Sequence, residues 1–556
     1  MFDSIRHLWD VGVLTRDSVR LSVDIYLPPA EIKGPYPGIL IRTPYDNSKE
    51  SFVNFAEFFA RHGYAFVAQD VRGRGDSDGD WRPYPSLDDG PDGYDTIEWI
   101  AGQPWSNGKI GTMGGSYSGE VQWVAARGQP PHLVTMVSTA ASGRWMQETP
   151  FVNGIPNLWG LAWLNLTGGR TLQNNAATNW KDVFYHLPLK TMDEALGRTN
   201  TVWRERFLHP DLDDFWKCRR LDNDFKNIDL PVLHITGWFD GDQPGALYYY
   251  EGMVNHSPAA DRQFILIGPW DHAGTRLPKQ ELGGVKFPPE VVVDMNEVHL
   301  RWFDYWLKGI DNGLLNDKRA RIFTMGENKW HDEDSWPLKR TVATKFYLHS
   351  AERANTLGGD GRLSAKVPTN EPPDRYTYNP ENPVITLMNW NKYGNRDAEE
   401  PLDKRFIERR DDVLVYTSEP LQAELGVCGR PFVRLYASSD CLDTDWIAML
   451  SDVYPDDRSI SLGEGVLRAR YRNSLEKAEL MIPGKVYEFT FELMSTCNVF
   501  HSGHRIRLTL TSSGFPIHAR NPNTGHPIGE DAELRVAHQT IYHCDEYPSH
   551  LLLPVV

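Results

Sequence analysis

The sequence predicts two architectures in series: an α/β domain built on a mostly parallel sheet, and then an all-β sandwich. Three observations predict this. Short apolar runs alternate with helix-patterned segments up to about residue 337, as in a sheet with helices on both faces. That rhythm breaks once, between 146 and 228, where aromatic residues with helix-like spacing replace strand signals. Beyond about residue 338, apolar and polar residues alternate in short runs separated by turn residues, the pattern of a sandwich. The expected division is 1–145 and 229–337 for the α/β domain, 146–228 for a helical cap inserted into it, and 338–556 for the β domain.

In chain order, Val19, Leu21, Val23 and Ile25 alternate with Arg20, Ser22 and Asp24, a half-buried lead-in strand. Gly38 to Arg42, Tyr64 to Gln69, Lys109 to Met113 and Leu133 to Ser138 read as core strands, with helical spacing between them at Tyr94, Ile97 and Ala101. Leu230 to Thr236 and Phe264 to Ile267 complete the sheet, and Val298 to Leu307 reads as an aromatic-rich closing helix. The cap region carries Phe151, Trp159, Trp163, Trp180 and Trp203, with Trp145 at its border. In the last region Tyr487, Phe489, Phe491 and Leu493 alternate with Glu488, Thr490 and Glu492, and Ile506, Leu508 and Leu510 with Arg505, Arg507 and Thr509. The run from Leu357 to Pro383, rich in Gly and Pro, reads as loop, and no internal repeat stands out.

The 556 residues exceed what one core supports, and 40% hydrophobic with 24% charged residues is a globular balance. A net charge of −17 argues against nucleic-acid binding, which needs a basic footprint. No stretch is apolar and long enough to span a bilayer, so no membrane association is expected. Met1 to Asp10 lacks the basic-then-apolar layout of a secretory leader. Cys218, Cys428, Cys441, Cys497 and Cys544 are odd in number and scattered, which predicts reduced thiols and a cytoplasmic protein. No metal or cofactor is expected. Asp76 to Asp80 opens like a calcium loop, but Trp81 replaces its glycine and Leu87 its glutamate. His501 and His504 form too isolated a pair for zinc. A homo-oligomer is left open.

The chemistry concentrates at Gly114-Gly115-Ser116-Tyr117-Ser118-Gly119. This stretch joins the strand Lys109 to Met113 to a helix marked by Val121, Val124 and Ala125, with Gly128 as its stop. A sharp strand–serine–helix corner with small neighbours is the layout of a nucleophile elbow, where the next backbone N–H, that of Tyr117, can face an oxyanion. Glycine–serine turns also bind phosphate at helix N-termini, so the turn alone leaves that reading open. A serine nucleophile needs an acid and a base downstream in that order. Asp240, in Gly237-Trp238-Phe239-Asp240, and His272, in Gly268-Pro269-Trp270-Asp271-His272, lie just past the ends of predicted parallel strands, the sheet edge where sites form. Asp242 and Asp271 are neighbouring competitors, and His234, inside a strand, reads as a core histidine.

These three motifs together resemble those of the cocaine esterase, α-amino-acid ester hydrolase and X-prolyl dipeptidyl peptidase superfamily, the CocE/NonD hydrolases. Further segments agree: Arg42-Thr43-Pro44-Tyr45, Asp70-Val71-Arg72-Gly73-Arg74-Gly75-Asp76-Ser77, Met325 to Trp330 followed by Trp336-Pro337, Gly503 to Leu508, and Asn521 to Gly525. The likeness spans nearly the whole chain and is weakest from 146 to 228. It implies an α/β-hydrolase fold with an inserted cap and a C-terminal jelly roll. It also implies a serine hydrolase that cleaves carboxylic esters or amides of small molecules through an acyl-enzyme. Ser116 would attack, His272 would carry the proton and Asp240 would orient the imidazole. The oxyanion hole would combine the Tyr117 N–H with the Tyr45 hydroxyl, a neutral donor at pH 7.

Substrate preference is less sharply implied. The amino-ester hydrolases grip an ammonium with a carboxylate cluster, for which only Asp242 or Glu120 is available here. Arg144 could instead meet an acidic acyl group, as in a glutaryl-type cephalosporin acylase, or form a salt bridge in the cap. Trp145, Phe151 and Trp159 are the expected walls of an acyl pocket. The alternatives are an X-prolyl dipeptidyl peptidase, a glutaryl-type acylase and, from another class, a catalytically dead protein whose sandwich binds carbohydrate.

Overall fold

The computed structural model describes residues 4–83, 86–386 and 402–556. Ten strands form the first sheet: β1 (Arg6–Leu14), β2 (Arg20–Leu27), β3 (Tyr36–Thr43), β4 (Ala65–Asp70), β5 (Ser106–Gly115), β6 (Leu133–Thr139), β7 (Val232–Phe239), β8 (Gln263–Asp271), β9 (Ala320–Thr324) and β10 (Lys329–Glu333). Their spatial order is β1-β2-β4-β3-β5-β6-β7-β8-β9-β10. From β4 through β9 the neighbours run parallel, and β1, β2 and β10 are antiparallel additions at the two edges. Helices α1 (Glu50–Arg61), α2 (Asp89–Ala101), α3 (Tyr117–Arg127), α4 (Trp159–Leu166), α5 (Gln243–His256) and α6 (Met295–Lys308) accompany the strands, α4 lying in the inserted segment.

Every residue of β3 and β4 is buried, as expected of parallel strands covered on both faces. The lead-in strand β2 is also buried from Leu21 to Leu27, which corrects the half-buried expectation. It is an inner strand between β1 and β4, and its polar residues have partners: Ser22 Oγ donates to Asp10 and Asp24 accepts from the Asp10 N–H. Helix α6 is capped by Asp294, which accepts from Asn296 and Glu297, and Gly309 ends it at φ 72°. Its Trp302 indole donates to Thr135 under the sheet.

Between β6 and β7 the chain leaves the sheet for a segment of short helices and one two-residue hairpin, Phe151–Val152 with Ile155–Pro156. Its buried Trp145, Trp163, Trp180, Trp203 and Trp216 share one apolar cluster with the β region. That region is all-β. Its strands include Phe432–Ser439, flanked by Ala537–Tyr542 and His550–Val555, and Arg505–Thr511, flanked by Leu414–Ser418 and Asp445–Val453. The expected loop from Leu357 to Pro383 contains two strands, Arg362–Ser364 and Asp374–Tyr378. In the second, Asp374, Tyr376 and Tyr378 point inward and pair with Ala537–Tyr542, an alternation masked in the sequence by flanking Pro and Asp.

The two regions are joined by backbone hydrogen bonds: Met325 N–H to Cys497 C=O and Val499 N–H to Met325 C=O. Cys428 and Cys497 form a disulfide, so the cysteines are not all reduced; Cys218, Cys441 and Cys544 are free. The strands Leu425–Gly429 and Thr496–Phe500 place the two cysteines directly opposite, a register that their separation of 69 residues conceals. Among the described residues no helix is long and apolar enough to cross a membrane.

Candidate active site

Strand β5 ends at Gly115 and α3 begins at Tyr117, so Ser116 is the whole of the corner between them. Its backbone has φ 62° and ψ −130°, a region that costs a side-chain-bearing residue energy. Neighbours hold it there: the Ser116 N–H donates to the carbonyls of Thr139 and Ala140, both at 3.1 Å. The small residues are needed for contact. A Cβ on Gly114 would lie 2.5 Å from Ser118 O, and one on Gly119 2.8 Å from Thr139 O. Tyr117 is the first residue of α3, so its N–H points out of the helix N-terminus beside the Ser116 side chain.

β7 and β8 lie side by side, and their C-terminal ends bring Asp240 and His272 together. Nδ1 of His272 is 2.8 Å from Asp240 Oδ1. Asp240 is fully buried and further fixed: Oδ2 accepts from Thr236 Oγ1 at 2.9 Å and Oδ1 from the Asp242 N–H at 3.0 Å. With Nδ1 donating to a carboxylate, Nε2 is the nitrogen left to accept a proton. Asp242, a candidate for gripping an ammonium, stands 3.5 Å from the same Nδ1. His234 is buried against Gln263 in mid-strand, and burial pulls it down to about 3, which keeps it neutral.

The Tyr45 hydroxyl accepts from Trp163 Nε1 at 2.9 Å and lies beside the Ser116 side chain. Burial pushes this phenol above its ordinary value, so it stays a neutral hydroxyl. The Asp70–Ser77 turn holds it in place. Arg74, 1% exposed, donates to the carbonyls of Pro44 and Thr167 at 2.8 Å each, tying the residue before Tyr45 to the inserted segment. Asp70, raised to about 7 by burial, accepts from the Asn47 N–H at 2.9 Å. Gly75, at φ 49°, is mandatory here, since a Cβ would fall 1.9 Å from Asp70 Oδ2.

Trp163 is the residue that sequence reasoning passed over. It sits on α4, and its ring stacks on Tyr117 at 5.9 Å while its indole N–H meets Tyr45, so it bridges the two candidate oxyanion donors. Trp159 is one turn earlier on the same helix face and only partly buried. The other expected walls are corrected. Trp145 is fully buried between Trp216 and the Arg219 guanidinium, and Phe151 is fully buried edge-on to Phe207; both are interior packing. Arg144 is engaged by Glu492 of the β region, the salt-bridge alternative, with no free guanidinium for an acyl group. Glu120 is buried against Arg219 at 3.2 Å, so it offers no surface to an ammonium.

Among the described residues, the atoms that could meet a metal are those of Asp240, Asp242 and His272, within 4.8 Å of one another. The Nδ1 that would ligate is already hydrogen-bonded to Asp240, the arrangement of an acid–base couple.

A serine at a strained strand–helix corner, with a buried carboxylate–imidazole pair at the ends of neighbouring parallel strands, defines a hydrolase of the α/β-hydrolase class. Comparison with known proteins agrees. The family model of the X-Pro dipeptidyl-peptidases (S15 family) matches residues 17–274, and that of the X-Pro dipeptidyl-peptidase C-terminal non-catalytic domain matches 312–552. Cocaine esterase of Rhodococcus sp. (strain MB1 Bresler) is 35% identical over 98% of each chain. Among solved structures, an α-amino acid ester hydrolase superposes with a TM-score of 0.89 at 26% identity, covering 100% of this chain and 98% of that one. An aminopeptidase from a marine sediment Thaumarchaeota archaeon gives 0.88 at 27%, covering 100% and 97%. The chain belongs to the family of X-prolyl dipeptidyl peptidases, cocaine esterase and α-amino-acid ester hydrolases, and it is a serine hydrolase acting on small molecules.

Proposed function

We propose that the protein hydrolyses carboxylic esters through an acyl-enzyme on Ser116. Ser116 Oγ attacks the ester carbonyl carbon while His272 Nε2 takes its proton. Asp240 holds the imidazole tautomer and stabilises the imidazolium. The carbonyl oxygen becomes an oxyanion and receives hydrogen bonds from the Tyr117 N–H and the Tyr45 hydroxyl. His272 returns the proton to the departing alcohol, and water then repeats the sequence to release the acid. The observation that carries this reading is the 2.8 Å His272–Asp240 hydrogen bond at the ends of neighbouring parallel strands, with Ser116 held at the strained corner between β5 and α3.

Esters are favoured over amino-terminal peptides because Glu120 is paired with Arg219 and Asp242 stands at His272, which leaves the expected ammonium-gripping carboxylates committed. The match to the dipeptidyl-peptidase family supports amide cleavage as the second reading. The catalytic unit comprises 1–145 and 229–337, with 146–228 as its cap and 338–556 as a jelly-roll support. Residence is assigned to the cytoplasm, where the Cys428–Cys497 bond would be open to reduction; fractionation with thiol trapping tests both.

Turnover of p-nitrophenyl valerate, valeryl p-nitroanilide and glycyl-prolyl p-nitroanilide by wild type and Ser116→Ala tests the activity. Ester turnover that Ser116→Ala lowers by three orders of magnitude or more supports the proposal. Ester turnover surviving that change refutes it, and faster cleavage of the glycyl-prolyl substrate favours the peptidase.

A further inference from the structure

The guanidinium groups around the elbow have defined partners, with one exception. Arg74 donates to two carbonyls, Arg219 pairs with Glu120 and Arg144 with Glu492. Arg276 is different. Among the described residues no carboxylate or carbonyl meets its side chain, although the protein carries 75 acidic against 58 basic residues. Buried guanidinium groups are normally paired, whereas this one is only partly buried and keeps its donors available.

Its position is set by the base. The turn after His272 is hydrogen-bonded throughout: Thr275 Oγ1 to His272 C=O at 2.8 Å, Thr275 N–H to Asp271 C=O at 3.1 Å and Arg276 N–H to Ala273 C=O at 3.0 Å. From there the side chain lies across the elbow. A Cβ on Gly115 would meet Arg276 Nη1 at 2.7 Å and Cδ at 2.9 Å, so the glycine preceding Ser116 is the floor on which the arginine rests. Given the spacing of consecutive Cα atoms, the guanidinium is within about 8 Å of Ser116 Cα. The Tyr45 hydroxyl also feels its charge. The cation therefore lies over the glycine next to Ser116 and is partly exposed.

We propose that Arg276 binds a carboxylate on the substrate, so that the preferred esters are anionic, with the carboxylate on either the acyl or the alcohol side. A planar guanidinium receives a carboxylate through two parallel N–H···O bonds, which supplies orientation as well as charge. The proposal rests on Ser116 as the nucleophile and adds the substrate class. It transfers to Arg276 the task that the sequence pattern suggested for Arg144.

The test compares kcat/KM for mono-p-nitrophenyl glutarate, with the carboxylate on the acyl side, and 3-carboxy-4-nitrophenyl valerate, with it on the leaving group. p-Nitrophenyl valerate is the neutral reference. Wild type is expected to prefer at least one anionic ester about tenfold or more, and the arm preferred identifies the side. Arg276→Gln should lower that charged-to-neutral ratio at least tenfold, and Arg276→Lys should restore part of it. A salt series on the wild type needs no variant: the ratio should fall as ionic strength screens the pair. No preference for either anion, or a ratio unchanged in Arg276→Gln, overturns the proposal while leaving the hydrolase reading intact. A folded wild type that cleaves none of the three esters overturns both.

Discussion

Replacing Tyr45 with Phe separates the two jobs its hydroxyl has in this site. The ring stays, and one oxygen is lost. That oxygen lies beside Ser116 and is proposed to donate to the oxyanion. Losing one such donor lowers kcat by about 10²–10³, or about 2.7–4 kcal/mol, with little change in KM because the bond matters mainly in the transition state. The same oxygen accepts from Trp163 Nε1 at 2.9 Å, and Trp163 is only 5% exposed. Removing that acceptor costs about 1–3 kcal/mol of folding stability. The variant should therefore be slower and less stable, and the two effects should come apart in Tyr45→Phe/Trp163→Phe, where stability partly returns and kcat stays low. The assay is steady-state hydrolysis of p-nitrophenyl valerate alongside urea unfolding. Burial keeps the phenol protonated, so wild-type kcat should also hold between pH 8 and 10. A Tyr45→Phe enzyme with kcat within threefold of wild type refutes the oxyanion role and leaves Tyr45 as the anchor of Trp163.

Asp240→Asn would present an amide to His272 Nδ1 and favour the wrong tautomer. It should lower kcat on the order of 10⁴ with an unchanged circular dichroism spectrum, and a loss under tenfold would contradict the assignment. Glu120 is raised to about 8 because burial outweighs the attraction of Arg219. A carboxyl whose folded-state value is raised stabilises most in acid and loses that contribution as pH climbs through about 8. Glu120→Gln should therefore gain stability relative to wild type from pH 5 to pH 9, by more than about 1 kcal/mol in urea unfolding; parallel pH curves would sink this. The Cys428–Cys497 bond closes a separation of 69 residues. Chain entropy puts its contribution at up to about 4 kcal/mol, so Cys428→Ser or reductant should lower the melting temperature, and an unchanged value would argue against the bond.

Much of the first sheet was legible because buried parallel strands are written as continuous apolar runs. The elbow was legible because its glycines are forced by contact, Gly114 against Ser118 and Gly119 against Thr139. The meeting of Asp240 and His272 could be anticipated because chain order and strand ends restrict where two such side chains can pair. What could not be read has a common cause, which is that it depends on long-range register. Trp163 is one tryptophan among several in the inserted segment until α4 brings it to Tyr45. Trp145 and Phe151 looked equally suitable and are interior packing. The disulfide follows from two strands falling opposite each other, and Asp374–Tyr378 became a strand only by pairing with Ala537–Tyr542. Arg144 and Arg276 show the limit most clearly: two arginines near the same motifs, and only the fold reveals that Glu492 occupies the first.

Activation of Ser116 is tested by reacting the folded protein with a fluorophosphonate and mapping the adduct by peptide mass spectrometry, with Ser116→Ala in parallel. One adduct is expected, on the peptide carrying Ser116, and none in the variant. A folded wild type that takes no label, or one labelled equally in Ser116→Ala, would contradict it.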